Sequence, residues 1–156
     1  IMLLFSKHPN KDKERLYNDE QIDSEDGTVL RMYFYKERDE VILKVLLNCF
    51  TALSKVFSEE WGTPSKYILC KTTGFRGVIK SLPSIIRKGI EYRYLTEDFF
   101  NSYFLKVKER LRDKGKSLTS QDFGLGEAAQ NDLAGCILEP LSSFIYTVNK
   151  YSTNKN

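Results

Sequence analysis

Apolar residues recur at helical spacing through most of this chain. Val41, Ile42, Val45, Leu46, Phe50, Leu53, Phe57 and Trp61 form one broad stripe, which predicts a central core helix from Asp39 to Trp61. Asp39 and Glu40 stand where the positive end of a helix prefers acids, and Gly62-Thr63-Pro64 ends it. A second helix is predicted from Thr96-Glu97-Asp98 to about Asp113. Phe99, Phe100, Tyr103, Phe104, Val107 and Leu111 would face inward, with bases gathered in the last turns and Gly115 beyond them. A last helix is predicted from Glu127 to about Tyr151, kinked at Pro140. Its inward set is Ala129, Leu133, Cys136, Ile137, Leu141, Phe144, Ile145 and Val148.

The stretch from Ser65 to Ser84 organises the middle. Tyr67, Ile68, Leu69 and Cys70 are a short apolar run of strand or helix-entry type. Lys71-Thr72-Thr73-Gly74 follows as a turn with candidate N-caps. Phe75, Val78, Ile79 and Leu82 then fall on an amphipathic stripe, and Pro83 stops or kinks the helix. Pro83 to Arg87 reads as a separate short turn of helix, with Gly89 after it.

Elsewhere the pattern is weaker. Residues 1 to 5 read as a strand or a buried end. Lys7 to Gly27 is polar, with a turn at His8-Pro9-Asn10 and a short helix pinned by Leu16 and Tyr17. Thr28 to Tyr35 reads as a strand or an extended entry, and Ile90 to Leu95 as a strand or a connection. Ser117 to Gly126 is a loop with a helical turn at Ser120. The expected fold is one domain over residues 1–156, mainly α with α+β as the alternative, carrying two or three short strands.

Charge changes the picture. The chain of 156 residues carries +3, but Gly62 to Leu95 holds Lys66, Lys71, Arg76, Lys80, Arg87, Lys88 and Arg93 against Glu91 alone. That window is therefore +6 and the rest −3. Asp19 to Asp26 holds five acids and no base. A positive zone on a nearly neutral protein points to a local anionic partner. The 41% apolar content suits one domain with a real core, and nine Tyr, ten Phe and one Trp exclude a disordered chain. No apolar run approaches the ~20 residues that span a bilayer, and no signal peptide is visible. Cys49, Cys70 and Cys136 sit in apolar contexts and read as buried reduced thiols, which implies a cytoplasmic setting. Ile1 precedes Met2, as in a segment whose upstream part is missing.

Little chemistry is encoded locally. His8 has no Cys or His at ligand spacing, so no metal, cofactor or catalytic group is assigned. Gly124-Leu-Gly126-Glu-Ala-Ala129 fits a dinucleotide fingerprint in letters, but Leu118 to Phe123 does not read as the strand it needs. Gly74-Phe-Arg-Gly77 is similar to the loop with which KH domains clamp nucleic-acid backbone, though the flanking elements do not follow that pattern. The helix start at Thr72, Thr73 and Gly74 offers free N–H groups to a phosphate. Lys71 is adjacent, and Arg76 and Lys80 are i, i+4 neighbours.

From Val45 to Ile85, a helix ends in an aromatic and Trp61, then come an apolar run, Lys71-Thr72-Thr73-Gly74-Phe75 and an apolar helix. This order resembles the downstream part of DGQHR-domain proteins, bacterial and phage-type relatives of the ParB-like nuclease fold that include regulators linked to DNA phosphorothioate modification. The Gly-rich helix start at Gly124–Ala129 also resembles the end of such chains, although the namesake Asp-Gly-Gln-His-Arg motif is absent. The resemblance implies the C-terminal portion of a longer protein and a DNA-associated context, carried by Lys71, Thr72, Thr73 and Gly74.

The expected function is a nucleic-acid-associated accessory or regulatory domain, DNA ahead of RNA. Lys71, Arg76, Lys80, Arg87, Lys88 and Arg93 would meet phosphates, and Thr72, Thr73 and Gly74 would hold one. The alternative is an interaction or oligomerisation module in which the basic zone docks an acidic protein partner or the Asp19–Asp26 segment of another copy. No membrane partner is expected.

Overall fold

Side chains that repeat every third and fourth position need another surface to cover them, and here helices cover one another. The structure, a computed structural model, describes residues 4–21 and 28–147. Within them lie α1 (Pro9–Tyr17), α2 (Arg31–Tyr35), α3 (Asp39–Val56), α4 (Ser58–Gly62), α5 (Thr72–Tyr92), α6 (Glu97–Asp113), α7 (Ser120–Phe123) and α8 (Gly126–Leu138), then a 3-10 turn at Glu139–Ser142. The fold is mainly α. The expected short strands do not occur among the described residues: Thr28–Tyr35 becomes a turn and α2, and Ile90–Leu95 is the end of α5 and the turn after it.

Two helix pairs build the core. α3 and α6 run side by side in the same direction. Asn48 Nδ2 donates to the Leu95 carbonyl ahead of α6 at 2.8 Å, and further along Lys108 Nζ donates to the Val56 carbonyl at 2.8 Å. α6 follows its predicted bounds, with the Thr96 hydroxyl accepting from the Phe99 N–H at 3.3 Å and Glu97 and Asp98 in its first turn. Its inward residues Phe99, Phe100, Tyr103 and Phe104 are fully buried. Phe144, just past the 3-10 turn, packs edge-on against Tyr103 at 5.1 Å and Phe99 at 5.7 Å. The buried Tyr103 hydroxyl donates to the Ile137 carbonyl at 2.8 Å, which joins α6 to α8 without leaving a polar atom stranded.

α5 and α8 form the second pair, also parallel. Gly77 meets the Leu133 side chain near the start of α5, and the Ser84–Glu91 face lies beside Leu138 and Leu141 near its end. A Cβ on Gly77 would sit 2.8 Å from Leu133 Cδ2, so the missing side chain lets the helices close up.

Several boundaries differ from the sequence expectation. The Asp39–Trp61 helix breaks at Phe57 (φ −107°, ψ 46°) into α3 and α4, and Trp61 is partly exposed at the rim. Leu46 and Phe50 are only partly buried; Cys49, Ala52 and Leu53 hold the centre of α3. Pro83 does not end its helix, because α5 continues to Tyr92. Pro83 is half-buried and falls by helical spacing on the same side of α5 as the exposed Arg76, Lys80 and Arg87, the side where a carbonyl that loses its N–H donor is best tolerated. The last helix ends at Leu138 rather than near Tyr151. Ile145 is exposed, and Val148 lies outside the described residues. Cys70 is exposed, whereas Cys49 and Cys136 are buried. Among the described residues no helix is long and apolar enough to cross a membrane.

Candidate nucleic-acid interface

α5 carries the site because its two sides are so unlike. Thr73, Gly74, Gly77, Val78, Ser81, Leu82, Ile85, Ile86 and Gly89 are buried. Arg76, Lys80 and Arg87 are exposed and spaced by four and seven residues, which places them on one outer stripe. No carboxylate of α5 lies between Arg76 and Arg87.

The predicted contact residues do not all converge. The helix of 21 residues spans about 31 Å, and Lys71 caps one end while Arg93 caps the other in a left-handed conformation (φ 62°). Lys88 sits on a flank, with Nζ 3.1 Å from Glu91 and 5.5 Å from the centre of the Tyr92 ring. Arg76, Lys80 and Arg87 therefore form the coherent group, with Lys71 and Thr72 at its leading end.

The helix start is more closed than its sequence suggests. Lys71 and Thr72 are exposed, but Thr73 and Gly74 are buried. A Cβ on Gly74 would lie 2.1 Å from the Ile68 carbonyl oxygen and 2.6 Å from the Leu69 Cα. Glycine is there because the incoming backbone passes directly over it. That segment is itself fixed, with the Ile68 N–H donating to the Leu118 carbonyl at 2.8 Å and the Lys71 N–H to the Ile68 carbonyl at 2.9 Å. Gly74-Phe-Arg-Gly77 is thus helix with both glycines packed inward, not an open KH-type loop. The Gly124/Gly126 pair serves the turn from α7 into α8, both with positive φ (76° and 82°), and α7 stands where a nucleotide fold would have a strand.

Pairing α5 with α8 opens a groove of about 510 Å³ beside the basic stripe, lined by Thr72, Phe75, Arg76, Lys80 and Gln130 among others. Lys80 Nζ donates to Asn131 Oδ1 at 2.7 Å and lies 3.5 Å from Glu127, both on α8. Arg76, by contrast, makes no ion pair with any described residue. Phe75, predicted as core, is 43% exposed and stacks on Phe50 at 5.9 Å and 13°. Gln130 was not singled out by the sequence: it is 7% exposed and lines the groove, and its carboxamide bonds to no other described residue. Its signal, a polar residue on the inner face of α8, is readable only once α5 is known to lie alongside.

His8 is exposed, and among the described residues no cluster of His, Cys, Asp or Glu is arranged to hold a metal ion. No protein-family model, curated protein or solved structure matches the chain.

Proposed function

We propose that this chain is a nucleic-acid-associated accessory or regulatory module that holds phosphates on the outer stripe of α5. The observation that carries the reading is the alignment of Arg76, Lys80 and Arg87 on one exposed stripe, next to an open groove. Phosphate contacts of this kind position a strand without reading its sequence, and they weaken steeply with salt. Lys71 and Thr72 extend the stripe to the helix start. Arg93, at the far end, adds charge without joining the same contact. The resemblance of residues 45–85 to DGQHR-domain proteins supports a DNA context.

The test is fluorescence anisotropy at low salt, with labelled single-stranded and duplex DNA and RNA. Replacing Arg76 and Lys80 together by Gln should weaken binding about tenfold, while Lys11 and Lys13 to Gln on α1 should change it little. Equal loss from both pairs would overturn the assignment to α5.

A second reading rests on Leu43 and Leu47, which are 58% and 57% exposed on the outer face of α3 beside Phe50. Adjacent exposed leucines suit a protein contact. In that reading the basic zone docks an acidic partner or another copy. Sedimentation that shows a salt-soluble oligomer favours it; a monomer at all salt concentrations opposes the self-docking form.

A further inference from the structure

We infer that the α5–α8 groove receives an unpaired base, so that the module engages single-stranded nucleic acid in preference to duplex. This inference rests on the phosphate-binding role proposed for α5. Phe75 supplies an aromatic surface that is 43% exposed at the groove, with its ring backed by Phe50 in a near-parallel stack at 5.9 Å and 13°. A ring supported in this way is held in one orientation, and any base can lie on its open side. Gln130 supplies the polar contact. It is 7% exposed, lines the same groove and has both its donor and its acceptor unclaimed by described residues. A carboxamide both donates and accepts, which matches the edge of a base. Arg76, adjacent to Phe75 in the chain, and Lys80 one turn later put cations at the groove for the flanking phosphates. Stacking platform, amide and cations therefore meet in one groove. In a duplex the bases are stacked on each other and their faces are closed to Phe75.

The test compares the intact chain on three labelled probes of equal length: a single strand, its abasic counterpart with the same phosphates, and a duplex. DNA and RNA versions of the single strand separate the two sources of the same chemistry. The single strand should bind at least tenfold tighter than the abasic strand. Phe75→Leu, with folding checked by thermal melting, should remove that preference while leaving affinity for the abasic strand within twofold. Equal binding of the single strand and the abasic strand overturns the base pocket and leaves the phosphate role standing. No binding of any probe at low salt overturns both.

Discussion

Lys80 on α5 donates to Asn131 on α8 at 2.7 Å, with the Glu127 carboxylate 3.5 Å away, so one cation of the basic stripe also ties the two helices together. Glu127 is 82% exposed, and an ion pair in such a setting contributes about 0–1 kcal/mol. A phosphate can replace it at little cost.

Glu127→Gln should therefore raise affinity for single-stranded nucleic acid. Removing the carboxylate beside Lys80 leaves the groove more positive, and a gain of about threefold at low salt is expected, fading as salt screens it. Titration by anisotropy at two salt concentrations checks this, and the melting temperature should barely move.

Two glycines should respond oppositely to the same substitution. Gly74→Ala drives a methyl group into the Ile68–Leu69 backbone, which cannot move aside as a side chain can, and should cost about 3 kcal/mol. Gly135 in α8 has nothing within 4 Å of where its Cβ would be. Gly135→Ala should stabilise by about 0.5–1 kcal/mol through helix propensity. Chemical denaturation of the two variants measures both signs.

Beneath α1, Arg31 grips the Asp12 carboxylate with both terminal nitrogens, one contact at 3.1 Å, and Ser6 Oγ donates to it at 2.5 Å. Both charged side chains are buried. Arg31→Met takes the cation from a buried carboxylate and should cost about 3–5 kcal/mol, whereas Asp12→Leu combined with Arg31→Met should recover most of that loss. Recovery in the double variant is the diagnostic, read from denaturation midpoints.

The thiols should separate cleanly. Burial pushes the Cys49 thiol far above its ordinary range, and burial, followed by the nearby Asp132, also raises Cys136. The thiolate is the reactive form, so both should resist alkylation in the native protein at neutral pH. Cys70 is exposed and should be labelled first. Mass spectrometry of tryptic peptides, with and without denaturant, distinguishes them.

Much of this fold is written in local pattern. α6 keeps its predicted start, cap and end because an aromatic stripe, acids ahead and bases behind all specify the same helix. The basic stripe of α5 was readable for the same reason, since spacing along one helix is a local property. Pro83 misled because sequence alone does not say which side of a helix faces water, and on the outer side the lost hydrogen bond is tolerated. Phe75 fits an apolar stripe, yet it lies at the edge of the covered face beside Phe50, 25 positions earlier in the chain. The groove itself was illegible: it exists only because α5 and α8 lie together, with Lys80 and Asn131 51 residues apart in the chain.

The most direct test of the phosphate-binding role is the slope of log affinity against log salt for single-stranded DNA, measured for the wild-type chain and for the variant with Arg76 and Lys80 both changed to Gln. Each phosphate neutralised on a single strand contributes about 0.7 to that slope. A steep wild-type slope that falls by about 1.4 in the variant is the predicted result. A wild-type chain that does not bind at low salt, or two identical slopes, would contradict it.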